Sequence, residues 1–271
     1  MRKKVRFAIN RLSRAFSNRP IWYFWEPMGS MPPYLHLCLE TWRRHLKDVD
    51  FIALDYSNVG KFLPRELPKS LSDYTLPQQA DFIRFALLAH NGGIWMDVDT
   101  IATRKPDTIW KSLADNDVVL LGSPGKNGAF NNFIAVNGPK DDFLRAVHDE
   151  VTAILKMPKP KNAAWDHVTK PFITRVAESD FAGSRVKIIP GNSFEYIAEL
   201  ANGVGYGPQK YRDFWFDTER EFSPSMVEGN GGLIGLHNSW SPPEYKEKPR
   251  DYILYEGREM MSKYIRYALL N

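Results

Sequence analysis

Short apolar runs that alternate with helix-period segments constrain this chain more than any other feature. Ile21-Trp22-Tyr23-Phe24-Trp25 lies between Pro20 and Pro27, and Phe51-Ile52-Ala53-Leu54 follows after a helical stretch. Further runs cover residues 94–100, 117–122, 186–189 and 233–236. Runs of this length, rich in β-branched and aromatic residues and bounded by turn formers, read as strands. Between the first two, Leu35, Leu39, Trp42 and Leu46 repeat at helical spacing. Residues 78–90 form a second such segment, entered at Pro77 and closed by Asn91-Gly92-Gly93. Residues 143–155 and 256–270 are also helical in pattern. Strand, helix, strand in this order predicts βαβ units, a mostly parallel central sheet flanked by helices, and the α/β class.

Composition sets the outer bounds. With 271 residues, 43% hydrophobic and 25% charged, the chain is globular rather than disordered or fibrous. Cys38 is the only cysteine, which excludes an intrachain disulfide and points to a reducing, cytoplasmic compartment. No apolar run approaches the ~18 residues of a membrane span. The net charge of +4 is local in origin, because Arg2, Lys3, Lys4, Arg6, Arg11, Arg14 and Arg19 all precede the first acid, Glu26. Val5, Ile9, Leu12 and Phe16 fall at helical spacing among them. Residues 1–19 therefore read as a basic amphipathic segment, and 20–271 as a single catalytic domain with a C-terminal helix. Such a segment either lies on the inner face of an anionic membrane or is a solvated terminus. In the tail, Arg258, Lys263 and Arg266 beside Met261, Tyr264, Ile265 and Leu269 extend the membrane expectation.

The chemistry concentrates in Ala80-Asp81-Phe82-Ile83-Arg84 and in Gly92-Gly93-Ile94-Trp95-Met96-Asp97-Val98-Asp99. Asp81 and Arg84 stand three apart on one helix, so they share a face. If residues 94–100 are one strand, Ile94, Met96 and Val98 face the core and Trp95, Asp97 and Asp99 face the other side. Two carboxylates so placed lie ~6.5–7 Å apart, which lets one bind a hard divalent cation while its neighbour reaches a bound water or a ligand hydroxyl.

These segments resemble the sugar-binding region of glycosyltransferases in the group that holds the yeast initiating α-mannosyltransferase and bacterial capsule-synthesis transferases, glycosyltransferase family 32-like. The shared pattern is Ala/Ser-Asp-x-x-Arg, a helix, Gly-Gly-Ile/Val-Tyr/Trp and Asp-x-Asp, with Trp95 where tyrosine is usual. The resemblance spans roughly residues 21–240. It implies the GT-A fold and a retaining, metal-dependent transfer of a hexose from a nucleotide sugar, a UDP-hexose, to an oligosaccharide or lipid-linked glycan. It implies catalytic roles for Asp81, Arg84, Asp97 and Asp99. It places Tyr23 and Trp25 near the base, and Trp95 with one of Asn131 or Asn132 near the sugar. His237-Asn238-Ser239-Trp240 matches the late element over the diphosphate, which makes Ser239 and Trp240 donor contacts. His237 would join Asp97 and Asp99 on Mn²⁺ or Mg²⁺. No nucleic-acid partner is expected.

Asp97-Val98-Asp99-Thr100-Ile101 also invites comparison with the nucleophile motif of HAD-type phosphatases. There the threonine comes one position later, and Lys140-Asp141-Asp142 is a poor substitute for the downstream lysine and acid pair. A nonenzymatic basic binder would explain the N-terminus and leave Asp81, Arg84, Asp97 and Asp99 unexplained.

Overall fold

A computed structural model describes residues 19–47, 49–122, 128–190, 207–228 and 232–271. The basic amphipathic stretch at 1–18 thus lies outside the described residues. In chain order the elements are β1 (Ile21–Phe24), α1 (Pro33–His45), β2 (Phe51–Leu54), α2 (Leu76–Asn91), β3 (Gly93–Met96), β4 (Thr100–Ala102), α3 (Asp107–Asp115), β5 (Val118–Gly122) and β6 (Ala129–Val136). They continue with α4 (Asp142–Lys156), α5 (Lys170–Glu178), β7 (Val186–Pro190), α6 (Pro208–Trp215), α7 (Ser225–Glu228), β8 (Leu233–Gly235), α8 (Pro243–Lys246) and α9 (Met260–Leu270). The chain divides into two compact units. One holds Met1–Met28, Asp48–Met96 and Ile109–Ile189; the other holds Gly29–Lys47, Asp97–Thr108 and Pro190–Asn271.

The first unit is built on a sheet of order β2-β1-β3-β6-β5-β7. β1 pairs in parallel with both β2 and β3, whereas β6 runs antiparallel to β3 and to β5. Since β3 and β5 both oppose β6, they point the same way as β1 and β2, and the sheet is mostly parallel. Its core gathers Trp22, Ile83, Phe85, Leu87, Trp95, Ile134, Phe143 and Phe172 from strands, α2, α4 and α5. α2 begins at a capping box, in which Thr75 and Gln78 satisfy each other's backbone N–H groups. It ends at Gly92, whose φ of +66° a side chain would resist. A Cβ on Gly92 would also meet the Gly138 carbonyl carbon at 2.5 Å. Strand β6 escapes the sequence reading because Asn131-Asn132 interrupts its apolar run, and asparagine disfavours strands.

One sequence expectation is corrected here. Residues 94–100 are not a single strand: β3 stops at Met96, Asp97-Val98-Asp99 forms a turn, and Thr100 opens β4 of a separate sheet. β3 is central, paired with β1 and β6 along its two edges, and buried on both faces, since Gly93 to Met96 are all buried. Alternation between core and solvent does not apply to such a central strand. Trp95 therefore shares no exposed strand face with Asp97 and Asp99.

The second unit centres on the antiparallel pair β4–β8, in register Thr100↔Gly235 and Ala102↔Leu233. α1 is tied to β4 by Trp42 Nε1–H, which donates to the Thr100 carbonyl at 2.6 Å, and by the Ala102 N–H, which donates to Thr41 Oγ1 at 2.9 Å. Aromatic side chains from α6 and α9 fill the rest, with the Trp215 and Tyr264 rings edge to face at 5.0 Å. Met261, Tyr264 and Ile265 are fully buried. Lys263 donates to the Thr218 and Arg220 carbonyls, and Arg266 to that of Ile253. Most of the apolar stripe of the tail is thus consumed by the protein's own core, with Leu269 half-buried and Leu270 63% exposed beyond it. No helix among the described residues is long and apolar enough to cross a membrane.

Candidate active site

In the first unit, α2 carries Asp81 and Arg84 on one face, as the i, i+3 spacing requires. Both are buried, at 8% and 3% exposure, and Arg84 Nη1 lies 3.2 Å from Asp81 Oδ1. Asn131 Nδ2 donates to the same oxygen at 2.8 Å, and Thr169 Oγ1 donates to Asp81 Oδ2 at 2.6 Å. The Arg84 guanidinium also sits over the Trp95 ring, 4.9 Å from its centre, a cation–π contact in a desolvated setting. Buried charge of this kind needs partners in every direction, and here a helix, two strands and the 157–169 loop supply them. Asn131 is thereby placed against Asp81. Asn132 is half-buried, and its Oδ1 has no hydrogen-bond partner among the described residues.

Trp25 follows the carboxyl end of β1, its N–H donating to the Leu54 carbonyl at 3.0 Å. Its indole is half-buried, and Nε1 is buried with no acceptor among the described residues. Tyr23, within β1, is buried. The carboxyl ends of parallel strands are where α/β sheets bind ligands. Two orphaned polar atoms in the first unit, Trp25 Nε1 and Asn132 Oδ1, are the sort of groups a ligand satisfies.

In the second unit, the β4–β8 ladder brings a distant segment beside the Asp97–Asp99 turn. The Asp99 carbonyl accepts from Leu236 N–H at 2.7 Å, and Asp99 Oδ2 accepts from Asn238 N–H at 2.8 Å across 139 residues of chain. His237 stacks on Trp240 with ring centres 4.0 Å apart. Burial pulls the His237 pKa down to about 4, so its ring is neutral at pH 7. Ser239 is exposed, and Asp97 and Asp99 are half-buried. Three buried hydroxyls hold this segment from behind. Tyr34 donates to Asn238 Oδ1 at 2.7 Å, Tyr211 OH accepts from His237 N–H at 3.2 Å, and Ser241 Oγ lies 3.3 Å from Tyr211 OH. Lys246 is half-buried in the same unit. Burial lowers its pKa, and the charge of Asp99 acts in the opposite direction.

The donor types suit a hard divalent cation: two carboxylates on one turn and a neutral imidazole. Among the described residues, no three His, Cys, Asp or Glu side chains group closely enough to hold a metal by themselves. Asp97, Asp99 and His237 thus form no closed cage. Mg²⁺-type sites rely on one or two carboxylates and take their remaining oxygens from substrate phosphates and water. An open pair of carboxylates fits that pattern.

Residues 2–156 match the family described as capsular polysaccharide synthesis protein. The chain belongs to that family. The sequence resemblance to capsule-synthesis transferases is therefore borne out. Among curated proteins, this family member is similar to the O-glycosyltransferase PaGT of Phomopsis amygdali, 29% identical over 155 residues, or 49% of this chain and 38% of the relative. It is also similar to the glycosyltransferase afumC of Aspergillus fumigatus, 26% identical over 140 residues, or 43% of this chain and 36% of the relative. The match thus spans well under half the length of these curated relatives. A solved glycosyltransferase involved in glycosylation of the major capsid of PBCV-1 is similar at 15% identity and a TM-score of 0.47, over 84% of this chain and 97% of that one.

Thr169, Asn238, Tyr34, Tyr211 and Lys246 are residues that sequence reasoning did not assign. Thr169 lies 88 positions from Asp81 and in no motif. Asn238 sits inside the His-Asn-Ser-Trp element already singled out, and its neighbours drew the assignments. The phosphatase comparison loses its downstream residues. Asp141 is the N-cap of α4, accepting from Leu144 N–H at 3.0 Å and from the Ser184 hydroxyl at 2.8 Å, and Asp142 is exposed. They serve the helix.

Proposed function

We propose that this chain is a retaining, metal-dependent glycosyltransferase of the GT-A class. It moves a hexose from a UDP-hexose to a glycan acceptor, free or lipid-linked, in surface polysaccharide synthesis. The buried Asp81–Arg84 pair, held by Asn131, Thr169 and Trp95, carries the reading. Burying such a pair costs several kcal/mol per ion before its contacts are counted. A site that must grip polar sugar hydroxyls gives that cost a purpose. Family membership and the names of the curated relatives support the same conclusion.

Asp81 and Arg84 orient the donor sugar, and the rigid guanidinium offers its remaining N–H groups in a fixed fork. Trp25, with Tyr23 in the strand behind it, takes the base, while Asn132 Oδ1 accepts from a donor hydroxyl. Ser239, Trp240 and Lys246 bind the diphosphate. Asp97 and Asp99, with His237 as a further donor, would hold Mn²⁺ or Mg²⁺, which when bound would supply positive charge to offset that of the diphosphate. The acceptor hydroxyl attacks the face the diphosphate leaves, through an oxocarbenium-like state; the C1–O bond to the diphosphate breaks, and the hydroxyl proton passes to the departing diphosphate oxygen, so no dedicated general base is needed.

The test is release of UDP from UDP-glucose, UDP-galactose and UDP-N-acetylhexosamines with Mn²⁺ present. One donor should be hydrolysed slowly without an acceptor, EDTA should stop it, and added Mn²⁺ should restore it. No release from any donor, or release indifferent to EDTA, defeats the proposal.

A further inference from the structure

Trp165 is the most exposed large apolar side chain among the described residues, at 81%. Single exposed apolar residues are ordinary on protein surfaces. This one differs in how firmly its backbone is held and in what holds it. Buried Gln78, in the first turn of α2, donates through Nε2 to the Ala164 carbonyl at 3.0 Å and reaches that of Trp165 at 3.4 Å. Four residues further on, Thr169 donates to Asp81. The loop is braced internally as well. His167 N–H donates to the Ala164 carbonyl at 3.1 Å, Lys170 N–H to the Asp166 carbonyl at 2.7 Å, and the His167 ring lies parallel to that of Tyr74. Gln78 and Asp81 are one helical turn apart, ~5–6 Å between their Cβ atoms. The loop backbone that carries the indole is therefore anchored on α2 about one turn from Asp81 and tied to that residue through Thr169.

Leu76 and Tyr56, 45% and 41% exposed, extend an apolar rim at the same end of α2, where the Tyr56 hydroxyl donates to Gln79 Oε1. In sequence, exposed Asn162 lies three positions before the tryptophan and half-buried Asp166 follows it. A flat aromatic face with polar neighbours matches a pyranose ring, which has a C–H face and a perimeter of hydroxyls. Resting on the glycosyltransferase reading above, we infer that Trp165 is the platform of an acceptor subsite and stacks on a pyranose of the acceptor glycan. A rigid indole needs little ordering on binding, so the contact favours affinity for the acceptor rather than the chemical step.

The experiment uses the full chain, the donor found active, and p-nitrophenyl α- and β-hexopyranosides as acceptor probes. UDP released to water and sugar transferred to the probe are measured separately. Trp165→Ala should raise the acceptor KM at least about tenfold, equivalent to ~1.4 kcal/mol, with a much smaller change in kcat. Trp165→Phe should recover most of the loss. Tyr255→Ala, removing a ring 72% exposed on the second unit, should leave acceptor KM alone. An unchanged acceptor KM in Trp165→Ala overturns the inference. So does a joint fall of kcat and thermal midpoint with KM intact, since the indole would then only brace the loop. A wild-type protein that releases UDP yet transfers to no pyranoside overturns the subsite and spares the glycosyltransferase reading. A wild-type protein that releases no UDP ends both.

Discussion

At the scale of single residues, charge and its partners decide what each side chain can do. Asp99 has one carboxylate oxygen on the Asn238 N–H. Asp99→Asn keeps an acceptor for that bond and removes the charge. It should lower transfer roughly a hundredfold or more, in the range seen when one preorganised electrostatic group is lost, while far-UV circular dichroism and thermal midpoint stay near wild type. Normal turnover by the purified variant would remove Asp99 from the chemistry. Arg84 is asked for two things at once, a pair with Asp81 and a face on Trp95. An ammonium cannot supply the planar fork, so Arg84→Lys should lose nearly as much activity as Arg84→Ala. The alanine variant should also be destabilised by about 3 kcal/mol, because it leaves the Asp81 carboxylate buried without its cation. Wild-type kinetics in the lysine variant would reduce Arg84 to a point charge.

At the scale of elements, the junction between α2 and β3 is the hinge of the design. Gly92 and Gly93 both lie at positive φ, +66° and +90°. A Cβ on Gly93 would come within 2.8 Å of the Pro20 carbonyl and of Trp22 Nε1. The two glycines let the chain reverse from the helix that carries Asp81 and Arg84 into a central strand that ends at Met96, just before Asp97. Gly92→Ala adds a penalty of ~1–3 kcal/mol, for a backbone conformation (φ +66°, ψ −154°) that is essentially glycine's alone, to a backbone collision at Gly138. Its thermal midpoint should fall by at least ~5 °C. Gly29→Ala, where an added Cβ meets nothing within 4 Å, is the matched control. Equal midpoints for the two variants would contradict this account of the turn.

At the scale of the whole molecule, the question is where the chain works. The tail helix spends Met261, Tyr264 and Ile265 on the second unit's core, so the membrane proposal rests chiefly on the basic N-terminal sequence. Its cations contribute ~1 kcal/mol each near an anionic surface. The full chain should pellet with anionic vesicles and not with neutral ones, more weakly as salt rises, and deletion of residues 1–17 should abolish pelleting. Equal recovery in the supernatant with both vesicle types would end the idea.

The amino-acid sequence by itself determined the α/β class, the α2 helix with its proline entry and glycine exit, and the pairing of Asp81 with Arg84. Each follows from local chemistry: periodicity, capping and the i, i+3 spacing act over a few residues and leave their mark in the string. The extent of the strand after Gly93 was not legible, because the segment sits between two other strands and solvent alternation vanishes when both faces are covered. Only tertiary structure showed that Asp97-Val98-Asp99 is a turn between two sheets. It also decided that Asn131 and Thr169 complete Asp81, and that the β4–β8 ladder delivers Asn238 to Asp99. Those contacts join residues 50 to 139 positions apart, where pairing depends on how the intervening elements pack and no local propensity records it.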